Sequence, residues 1–443
     1  MQNNIGINSR GHLEAGGCDL TELARQFATP LYVLDEKTVR ANCRAYLDGL
    51  ASYPGKTAVH YAGKAFLAAA LCRILEQEGF GLDVVSGGEL YTALTAGFPA
   101  AAISFNGNNK SAEELDYALT AGIGRFIVDN IQELTMLDAL ARKKKKTADI
   151  LLRIAPGVET HTHSYVQTGQ VDSKFGLTLT EGYALAAGRK ALSLGNIRLR
   201  GLHCHIGSQI FAPEPYAVAV GALLDLARQL QVETGWQMEE INLGGGLGIH
   251  YAGADAPPSI AEYTAFLTGT VQAEAERRQM ELPALILEPG RSIVGPAGIT
   301  LYTVGASKTI PGIRKYVAVD GGMGDNLRPA LYGAEYECLL ADKAGAAPTE
   351  TVTIAGRYCE SGDILVRDAC LPAVEPGDIL AVLNTGAYHY SMANNYNRVG
   401  RPAMVLVGDG KAEIIIRRES YADMLRLDVI PNRLRVVKAS HPA

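Results

Sequence analysis

The segment HYAGKAF, residues 60–66, contains a lysine at the junction between an apolar run and a helical pattern. Residues 57–59 are strand-like, and from Leu67 onward apolar residues recur at steps of three and four, the spacing of a helix. Lysine forms Schiff bases with carbonyl compounds, and barrel folds place chemistry where a strand ends. Lys64 is therefore a candidate nucleophile. The alternative is an ordinary solvated lysine at the start of a helix.

Two histidines follow another strand-like run, in the segment HCHIGSQ over residues 203–209. His203 and His205 are two residues apart, so both could face one side of a strand. A metal site is one interpretation, although no third ligand at a suitable spacing is obvious beyond His161 and His163. The other interpretations are hydrogen-bonded structural histidines or a histidine facing a ligand, and we predict no metal.

A glycine-rich turn, NLGGGLG over residues 242–248, also follows a strand-like run. Consecutive glycines let backbone N–H groups converge on an anion, and phosphate is the usual occupant. The turn lacks the GK[ST] of a Walker loop and is a poor dinucleotide fingerprint. It is a candidate phosphate site, with an ordinary turn as the alternative.

Glu288 and Arg291 flank a Pro-Gly turn at the end of the apolar run 284–287. They could form an internal ion pair. They could also hold a ligand, with the carboxylate on a protonated ring nitrogen and the guanidinium on an anion. Together with Lys64, the glycine turn and a ring-facing histidine, they make up the set of groups that pyridoxal phosphate requires.

Composition limits the class of protein in which these residues act. The 443 residues include 41 basic and 47 acidic side chains, and the net charge of -6 argues against a general nucleic-acid binder. Seven cysteines without a CxxC pair indicate reduced thiols. The polar N-terminus and the absence of a run of about 18 apolar residues predict neither a signal peptide nor a membrane span. We expect a cytoplasmic protein of two domains.

Short apolar runs alternate with helical periodicities from about residue 36 to residue 295. Besides the run before Lys64, the predicted strands are 101–105, 125–128, 150–154, 199–203, 240–243 and 284–287. The predicted helices are 87–96, 111–121, 132–141, 181–192, 216–233 and 260–276. Strand and helix repeated about eight times is typical of a (β/α)8 TIM-type barrel. A doubly wound open sheet is the alternative that alternation alone leaves open.

The rhythm changes after about residue 296, where short β-rich runs are separated by glycine and proline turns. These runs are 299–304, 315–319, 350–354, 364–367, 378–383, 403–406 and 412–417. They predict an all-β domain, a β-sandwich or β-barrel-like unit, and we expect the strand-like run 30–34 to join it. The predicted division is a barrel over 35–295 and a β domain built from 1–34 and 296–443.

Seven short motifs occur in this order along the chain: HYAGKA, HIGSQ, GGGLG, EPGR, DGGM with RPALYG, CESGD and GAY. In this order they resemble those of the alanine-racemase-like, fold type III decarboxylases, and the resemblance covers essentially the whole chain. Segments 161–176 and 392–402 are particularly similar to the branch that decarboxylates meso-diaminopimelate to L-lysine, the last step of lysine biosynthesis. Two residues depart from the pattern. Phe66 stands where many members have asparagine, and Asn106 stands where a histidine is expected.

The resemblance implies that the cofactor is pyridoxal phosphate. Lys64 would carry it as a Schiff base, His205 would stack on its ring and Glu288 would face the pyridine nitrogen. The phosphate would be held by Ser208, Gly244, Gly245, Gly246 and Tyr388, with the backbone amides of Gly290 and Arg291 nearby. A carboxylate favours the protonated ring, which withdraws electrons from the carbanion left when carbon dioxide departs.

The resemblance also implies that Cys359 protonates that carbanion, because a thiol keeps its proton at neutral pH. In the family this cysteine reaches the site from the other subunit, so a homodimer with shared active sites is implied. The β domain would then supply residues of both the substrate site and the dimer interface.

The implied substrate bears an ammonium and a carboxylate on its distal carbon. Glu360 would bind the ammonium and Arg328 the carboxylate, and the other implied substrate contacts are Arg291, Tyr332 and Tyr388. An enzyme for ornithine or lysine has only an ammonium to bind there. An unpaired arginine would cost it about 1–3 kcal/mol.

Three other functions stay open. A zinc hydrolase on a barrel would use the histidines His161, His163, His203 and His205. A non-catalytic relative would bind a partner, but such relatives tend to lose the lysine or the cysteine, and Lys64 and Cys359 are present. A related decarboxylase would act on D-ornithine, D-lysine or carboxynorspermidine, and Arg328 and Glu360 argue against it.

Overall fold

A computed structural model describes residues 5–158, 173–253 and 255–435. The chain begins with three short strands, a helix and a buried strand. Their bounds are β1 Ile5–Ile7, β2 Leu13–Ala15, β3 Cys18–Asp19, α1 Leu20–Phe27 and β4 Leu31–Asp35. The three short strands form a small antiparallel sheet.

Eight parallel strands then close into a barrel. The strands of this region are β5 Thr57–Ala62, β6 Gly81–Val84, β7 Ile103–Phe105, β8 Arg125–Val128, β9 Ala148–Ala155, β10 Leu177–Thr178, β11 Ile197–His203, β12 Glu240–Asn242 and β13 Ala284–Leu287. The ring runs β9-β11-β12-β13-β5-β6-β7-β8, and β8 pairs back onto β9. The short β10 pairs with the end of β9, outside the ring. Closure rules out the open sheet.

Helices surround the barrel because each has an apolar face that it buries against the strands. They are α2 Glu36–Leu50, α3 Ala69–Gln77, α4 Gly87–Thr95, α5 Ala112–Ala121, α6 Ile131–Lys144, α7 Tyr183–Ser193, α8 Glu214–Thr234 and α9 Ile260–Arg277. The helix α2 precedes the first barrel strand and packs against α9, so it completes the outer ring. Asp35 caps it by accepting hydrogen bonds from two backbone N–H groups of its first turn.

The second part of the chain is a mixed β domain. Its strands are β14 Gly298–Ile310, β15 Arg314–Val319, β16 Cys338–Leu340, β17 Glu350–Ala355, β18 Ile364–Leu371, β19 Ile379–Leu383, β20 Ala403–Gly408 and β21 Lys411–Ile416. Three short helices accompany them, α10 Arg291–Val294, α11 Arg328–Tyr332 and α12 Tyr421–Leu425. The main sheet has the order β18-β17-β15-β14-β4-β20-β21, and β19 pairs with β14 and β16. The predicted fold class, a parallel barrel with a separate β domain, is confirmed.

Single turns of 3-10 helix connect several elements, at Gly63–Ala65, Ala100–Ala102, Thr180–Gly182, Gly295–Ala297, Tyr390–Met392, Tyr396–Arg398 and Asn432–Leu434. One of them takes the first residues of the predicted strand 101–105, which starts only at Ile103. The strand β6 was missed because Gly81 and Asp83 interrupt its apolar run. No helix of the described residues is long and apolar enough to cross a membrane.

Candidate active site

Lys64 lies at the carboxyl end of β5, in the 3-10 turn Gly63–Ala65. Three contacts define the surroundings of this turn. The N–H of Ala62 donates to the carbonyl of Pro289 at 3.0 Å, and the N–H of Tyr388 donates to the carbonyl of Ala65 at 2.7 Å. A Cβ at Gly290 would lie 3.0 Å from the Cβ of Ala65. The lysine turn therefore packs directly against the EPGR turn and the GAY segment, as one end of a barrel requires.

The carboxylate of Glu288 is buried in the barrel and is bound on both oxygens. Nε2 of His203 donates to Oε2 at 2.9 Å, and Nδ2 of Asn242 donates to Oε1 at 2.7 Å. Nδ2 of Asn106 lies 3.4 Å from the same Oε1 and donates to Oδ1 of Asp83 at 2.7 Å. The carboxylate thus has donors from three different strands or strand ends.

These contacts set the protonation states of the buried acids. Burial raises the pKa of Glu288, but the charge and hydrogen bond of His203 and the hydrogen bond of Asn242 outweigh it and lower the pKa to about 2. Burial, followed by the charge of Glu288, raises the pKa of Asp83 well above its ordinary value. Burial lowers the pKa of His203. Glu288 is therefore ionised and accepts a hydrogen bond from His203.

The glycine turn forms a tight cradle beside His205. A Cβ at Gly244 would lie 2.9 Å from Nδ1 of His205, and a Cβ at Gly245 would lie 2.2 Å from the carbonyl oxygen of Glu288. Gly246 has φ of 127°, a conformation that favours glycine. Desolvation and the charge of Lys64 lower the pKa of His205 well below its ordinary value. A neutral imidazole is suited to stacking on an aromatic ring.

The guanidinium of Arg291 lies on the other side of the EPGR turn from Glu288. Its NH1 donates to the hydroxyl of Tyr251 at 2.6 Å, and its NH2 donates to Oγ of Ser208 at 2.8 Å. It lies 4.7 Å from the ring centre of Tyr388, whose backbone φ of 63° is strained for an aromatic residue. Arg291 therefore does not form the ion pair with Glu288 that the sequence left open.

A second buried guanidinium, that of Arg328 at the start of α11, joins this cluster from the β domain. It lies 4.6 Å from the ring centre of Tyr251 and donates to the hydroxyl of Tyr336. Tyr332 is one turn further along the same short helix and is half-buried. In the part of the chain that the structure describes, no carboxylate lies within salt-bridge distance of Arg328 or Arg291. Two cations are thus buried in this cluster, and neither pairs with a carboxylate among the described residues.

The pocket fits pyridoxal phosphate on these observations. Lys64 and the buried, ionised Glu288 lie at the same end of the barrel, and a neutral His205 lies beside the glycine cradle. Ser208 and Arg291 offer a hydroxyl and a cation beside a cradle that any Cβ would fill. Each feature suits one part of the cofactor, in turn the aldehyde, the ring nitrogen, the ring face and the phosphate.

Cys359 and Glu360 are exposed and lie apart from this cluster. The N–H of Cys359 donates to the side chain of Asn397 at 3.0 Å, and the hydroxyl of Tyr396 donates to Glu360 at 2.6 Å. Tyr396 in turn stacks on Tyr358, with ring centres 6.1 Å apart. The structure therefore brings the predicted barrel residues together with Arg328 and Tyr388, and it leaves Cys359 and Glu360 at the surface.

Several residues of the site were not predicted, namely Asp83, Tyr251, Tyr336 and His389. His389 is buried next to Tyr336, and burial and the charge of Arg328 lower its pKa to about 3. The signal for Tyr251, Tyr336 and His389 was an aromatic side chain close to a recognised motif, whereas Asp83 had no such signal. Of the two departures, Phe66 is buried edge-on to Tyr390, so an apolar ring fills that place.

The metal interpretation of the histidines receives no further support. His161 and His163 lie outside the described residues. His203 is engaged with Glu288, and no group of three possible ligands is found within residues 5–158, 173–253 and 255–435.

Comparison with known proteins gives one consistent result. Residues 36–295 match the family model described as pyridoxal-dependent decarboxylase, pyridoxal binding domain. The chain is 49% identical over 422 residues to a diaminopimelate decarboxylase of Bacillus subtilis, covering 95% of this chain and 96% of that protein. It is 47% identical to one of Synechocystis, covering 97% of this chain and 92% of the relative. A crystal structure of diaminopimelate decarboxylase from M. jannaschii in complex with L-lysine superposes with a TM-score of 0.91 at 38% identity, over 98% of this chain and 99% of the other.

Proposed function

Because the chain belongs to the pyridoxal-dependent decarboxylases, we propose that its reaction takes place among the residues gathered around Lys64, which binds the cofactor covalently. The chain is a pyridoxal phosphate-dependent carboxy-lyase that converts meso-diaminopimelate to L-lysine and carbon dioxide. When bound, the cofactor supplies an electron sink for the electron pair left on the substrate carbon when carbon dioxide departs.

Glu288 keeps the ring nitrogen protonated in this proposal. Its carboxylate is buried, ionised and held by His203 and Asn242, so it needs no reorganisation when a cation faces it. His205 covers one face of the ring. Its lowered pKa makes it a weak base, so it does not take the proton from the ring nitrogen. Exclusion of water by the barrel strengthens both effects.

The phosphate is held by the glycine cradle and the groups beside it. The cradle consists of Gly244, Gly245 and Gly246. Ser208 and Tyr388 offer hydroxyl groups, and the backbone amides of Gly290 and Arg291 lie at the turn that packs on Lys64. Arg291 adds a positive charge that no protein carboxylate among the described residues neutralises.

The observation that carries the choice of substrate is the buried guanidinium of Arg328, with which no carboxylate among the described residues pairs. A cation left without an anion in a protein interior is costly, so a ligand carboxylate gains strongly by pairing with it. Tyr332 and Tyr388, together with Arg291, complete the contacts of this carboxylate. Glu360 binds the distal ammonium. A substrate with both charges on one carbon satisfies both groups.

Cys359 returns the proton to the substrate carbon, and it acts in the site of a second copy of the chain. Two observations support this homodimer. Cys359 and Glu360 are exposed, on a loop bound to segment 394–398. Arg398 of that segment binds Met424 and Asp428, within a segment whose exposed apolar side chains are Tyr421, Leu425, Leu427, Val429, Ile430 and Leu434. An apolar surface continuous with a catalytic loop suits a subunit interface.

The division of labour follows from these assignments. The barrel, residues 35–295, binds the cofactor, and the β domain, residues 1–34 and 296–443, contributes Arg328, Cys359 and the dimer surface. All seven cysteines are free thiols. This supports the proposal that the protein works in the reducing cytoplasm.

Carbon dioxide release by the purified holoenzyme tests the function. Release should be rapid from meso-diaminopimelate, with L-lysine as the other product, and should be far slower from L-lysine, L-ornithine and L-arginine. Comparable release from L-ornithine would contradict the choice of substrate. A protein that stays colourless when pyridoxal phosphate is added would contradict the whole proposal.

A further inference from the structure

Asn106, which stands where the family pattern has a histidine, lies between two buried acids of the candidate site. It follows β7, its side chain is 4% exposed, and its backbone N–H donates to the carbonyl of Val84 at 2.8 Å. Its Nδ2 donates to Asp83 at 2.7 Å and lies 3.4 Å from Glu288. One amide nitrogen therefore stands between the ring-nitrogen carboxylate and a second buried acid.

The amide matters because two buried carboxyl groups next to each other repel when both are ionised. Asn106 offers one hydrogen to each of them. Its own Oδ1 has no hydrogen-bond partner among the described residues, so the side chain is oriented by its two donations and not by its acceptor. Its loop is also anchored, since Nζ of Lys110 donates to the carbonyl of Gly107 at 2.8 Å and to Glu133 at 2.7 Å.

We propose that Asn106 is a positioning residue for the decarboxylation, and that it holds Glu288 toward the ring nitrogen by linking it to Asp83 through one amide. This inference rests on the proposed function, because Glu288 needs this position only if it faces the cofactor ring. The side-chain amide of Asn106 contacts Asp83 and Glu288, so it acts through Glu288.

Asparagine also differs in kind from the histidine that the family pattern leads one to expect. An amide does not titrate, so the link between the two acids is the same at every physiological pH. An imidazole at this place would titrate, at a pKa that burial lowers and the neighbouring carboxylates raise. Among the described residues, the titratable groups that otherwise interact with Glu288 and Asp83 include His203, His205, His60, Lys64, Cys204, Glu89 and Arg153. The amide adds none to this set.

Two substitutions at this position, with one control, test the inference. Asn106→Ala removes the link, Asn106→His restores an N–H donor that titrates, and Asn109→Ala removes an exposed amide from the same loop. The measurements are the dissociation constant of pyridoxal phosphate for the apoenzyme, the visible absorption of the holoenzyme against pH, and kcat and KM for meso-diaminopimelate.

Asn106→Ala should weaken cofactor binding and lower kcat by about tenfold each, the effect of losing one hydrogen bond to a charged group, with KM within about twofold of wild type. Asn106→His should recover cofactor affinity and add a pH-dependent spectral transition that the wild-type protein lacks. Asn109→Ala should resemble wild type. Melting of each apoprotein identifies a variant that fails to fold, and the histidine variant then carries the test alone.

An Asn106→Ala protein with wild-type affinity, spectrum and kcat would overturn the inference. So would an Asn106→His spectrum without a new transition, or an Asn109→Ala defect equal to that of Asn106→Ala. Failure of the proposed function is a separate result. It would appear in the wild-type protein, as a lack of cofactor binding or of carbon dioxide release.

Discussion

Replacing Arg328 by methionine removes one buried charge while keeping an unbranched side chain of similar length. The guanidinium is 7% exposed, lies 4.6 Å from the ring centre of Tyr251 and has the hydroxyl of Tyr336 as an acceptor. An arginine has five N–H donors, so several remain for a bidentate carboxylate. The substitution tests whether the distal carboxylate of the substrate takes them.

The expected size of the effect follows from this burial. Removing one partner of a buried, hydrogen-bonded charge pair costs about 2–5 kcal/mol. Because about 1.4 kcal/mol is a factor of ten in rate, kcat/KM for meso-diaminopimelate should fall between about thirtyfold and a few thousandfold. The free energy of unfolding of the apoprotein should not fall, because no protein carboxylate among the described residues pairs with Arg328.

Steady-state release of carbon dioxide measures the effect, with meso-diaminopimelate and L-lysine as paired substrates. Lysine lacks the distal carboxylate, so its slow turnover should be unchanged or faster, and the preference between the two should collapse. Arg25→Met is the control, since Arg25 is exposed and pairs only with Glu22 among the described residues. A loss below threefold for meso-diaminopimelate, or an equal loss for both substrates, would refute the assignment.

Three further predictions concern the lysine, the thiol and a buried histidine. Lys64→Ala should abolish turnover and the visible band of the bound cofactor, and full activity in that variant would contradict its role. Cys359→Ala should slow turnover while leaving cofactor affinity unchanged, and mixing it with Lys64→Ala should restore part of the activity, because a mixed dimer has one site with both residues intact. Failure of mixing to restore activity, under conditions where subunits exchange, would argue against shared sites. Burial and the charge of Arg328 lower the pKa of His389 to about 3. Below about pH 6.5 the imidazole is therefore protonated in the unfolded chain but stays neutral in the folded protein. Stability should therefore fall with decreasing pH by about 1.4 kcal/mol per unit from this group alone, and the slope should be smaller in His389→Gln, measured by denaturant unfolding between about pH 6 and pH 4.

Sequence patterns were most informative for those parts of the site that each lie within a single short segment. Lys64 with its strand, the glycine turn and the EPGR turn each combine an apolar run with polar residues at its end. In a parallel barrel all such ends meet on one side, so local patterns were sufficient to bring them together.

The partners of Glu288 illustrate what local patterns could not predict. His203, Asn242 and Asn106 come from three different places in the chain, and the register of the barrel strands decides that they meet one carboxylate. Asp83 was missed with its strand, since an acid two residues after a glycine looks like a loop residue. Asp83 comes close to Asn106 and Glu288 only because the strands form a closed ring.

The contacts of Arg328 also depend on tertiary structure, here on the packing of the two parts of the chain. Tyr251 belongs to the barrel and Tyr336 to the β domain, so their meeting depends on how the two parts of the chain pack. Spacing along the chain contains no information on that packing. The position of Cys359 in an active site is harder still to predict from spacing, since its proposed partners lie in a second copy of the chain.

The strand β4 has a consequence for how the protein is made. It lies in the main sheet between β14 and β20, pairing with residues 298–301 on one side and 403–407 on the other. During synthesis it leaves the ribosome before either neighbour exists. Pairing between such distant segments is slow, and the first domain to be completed generally folds first. The barrel residues can therefore fold while β4 is still unpaired. The main sheet is completed only after residues 403–407 have been translated.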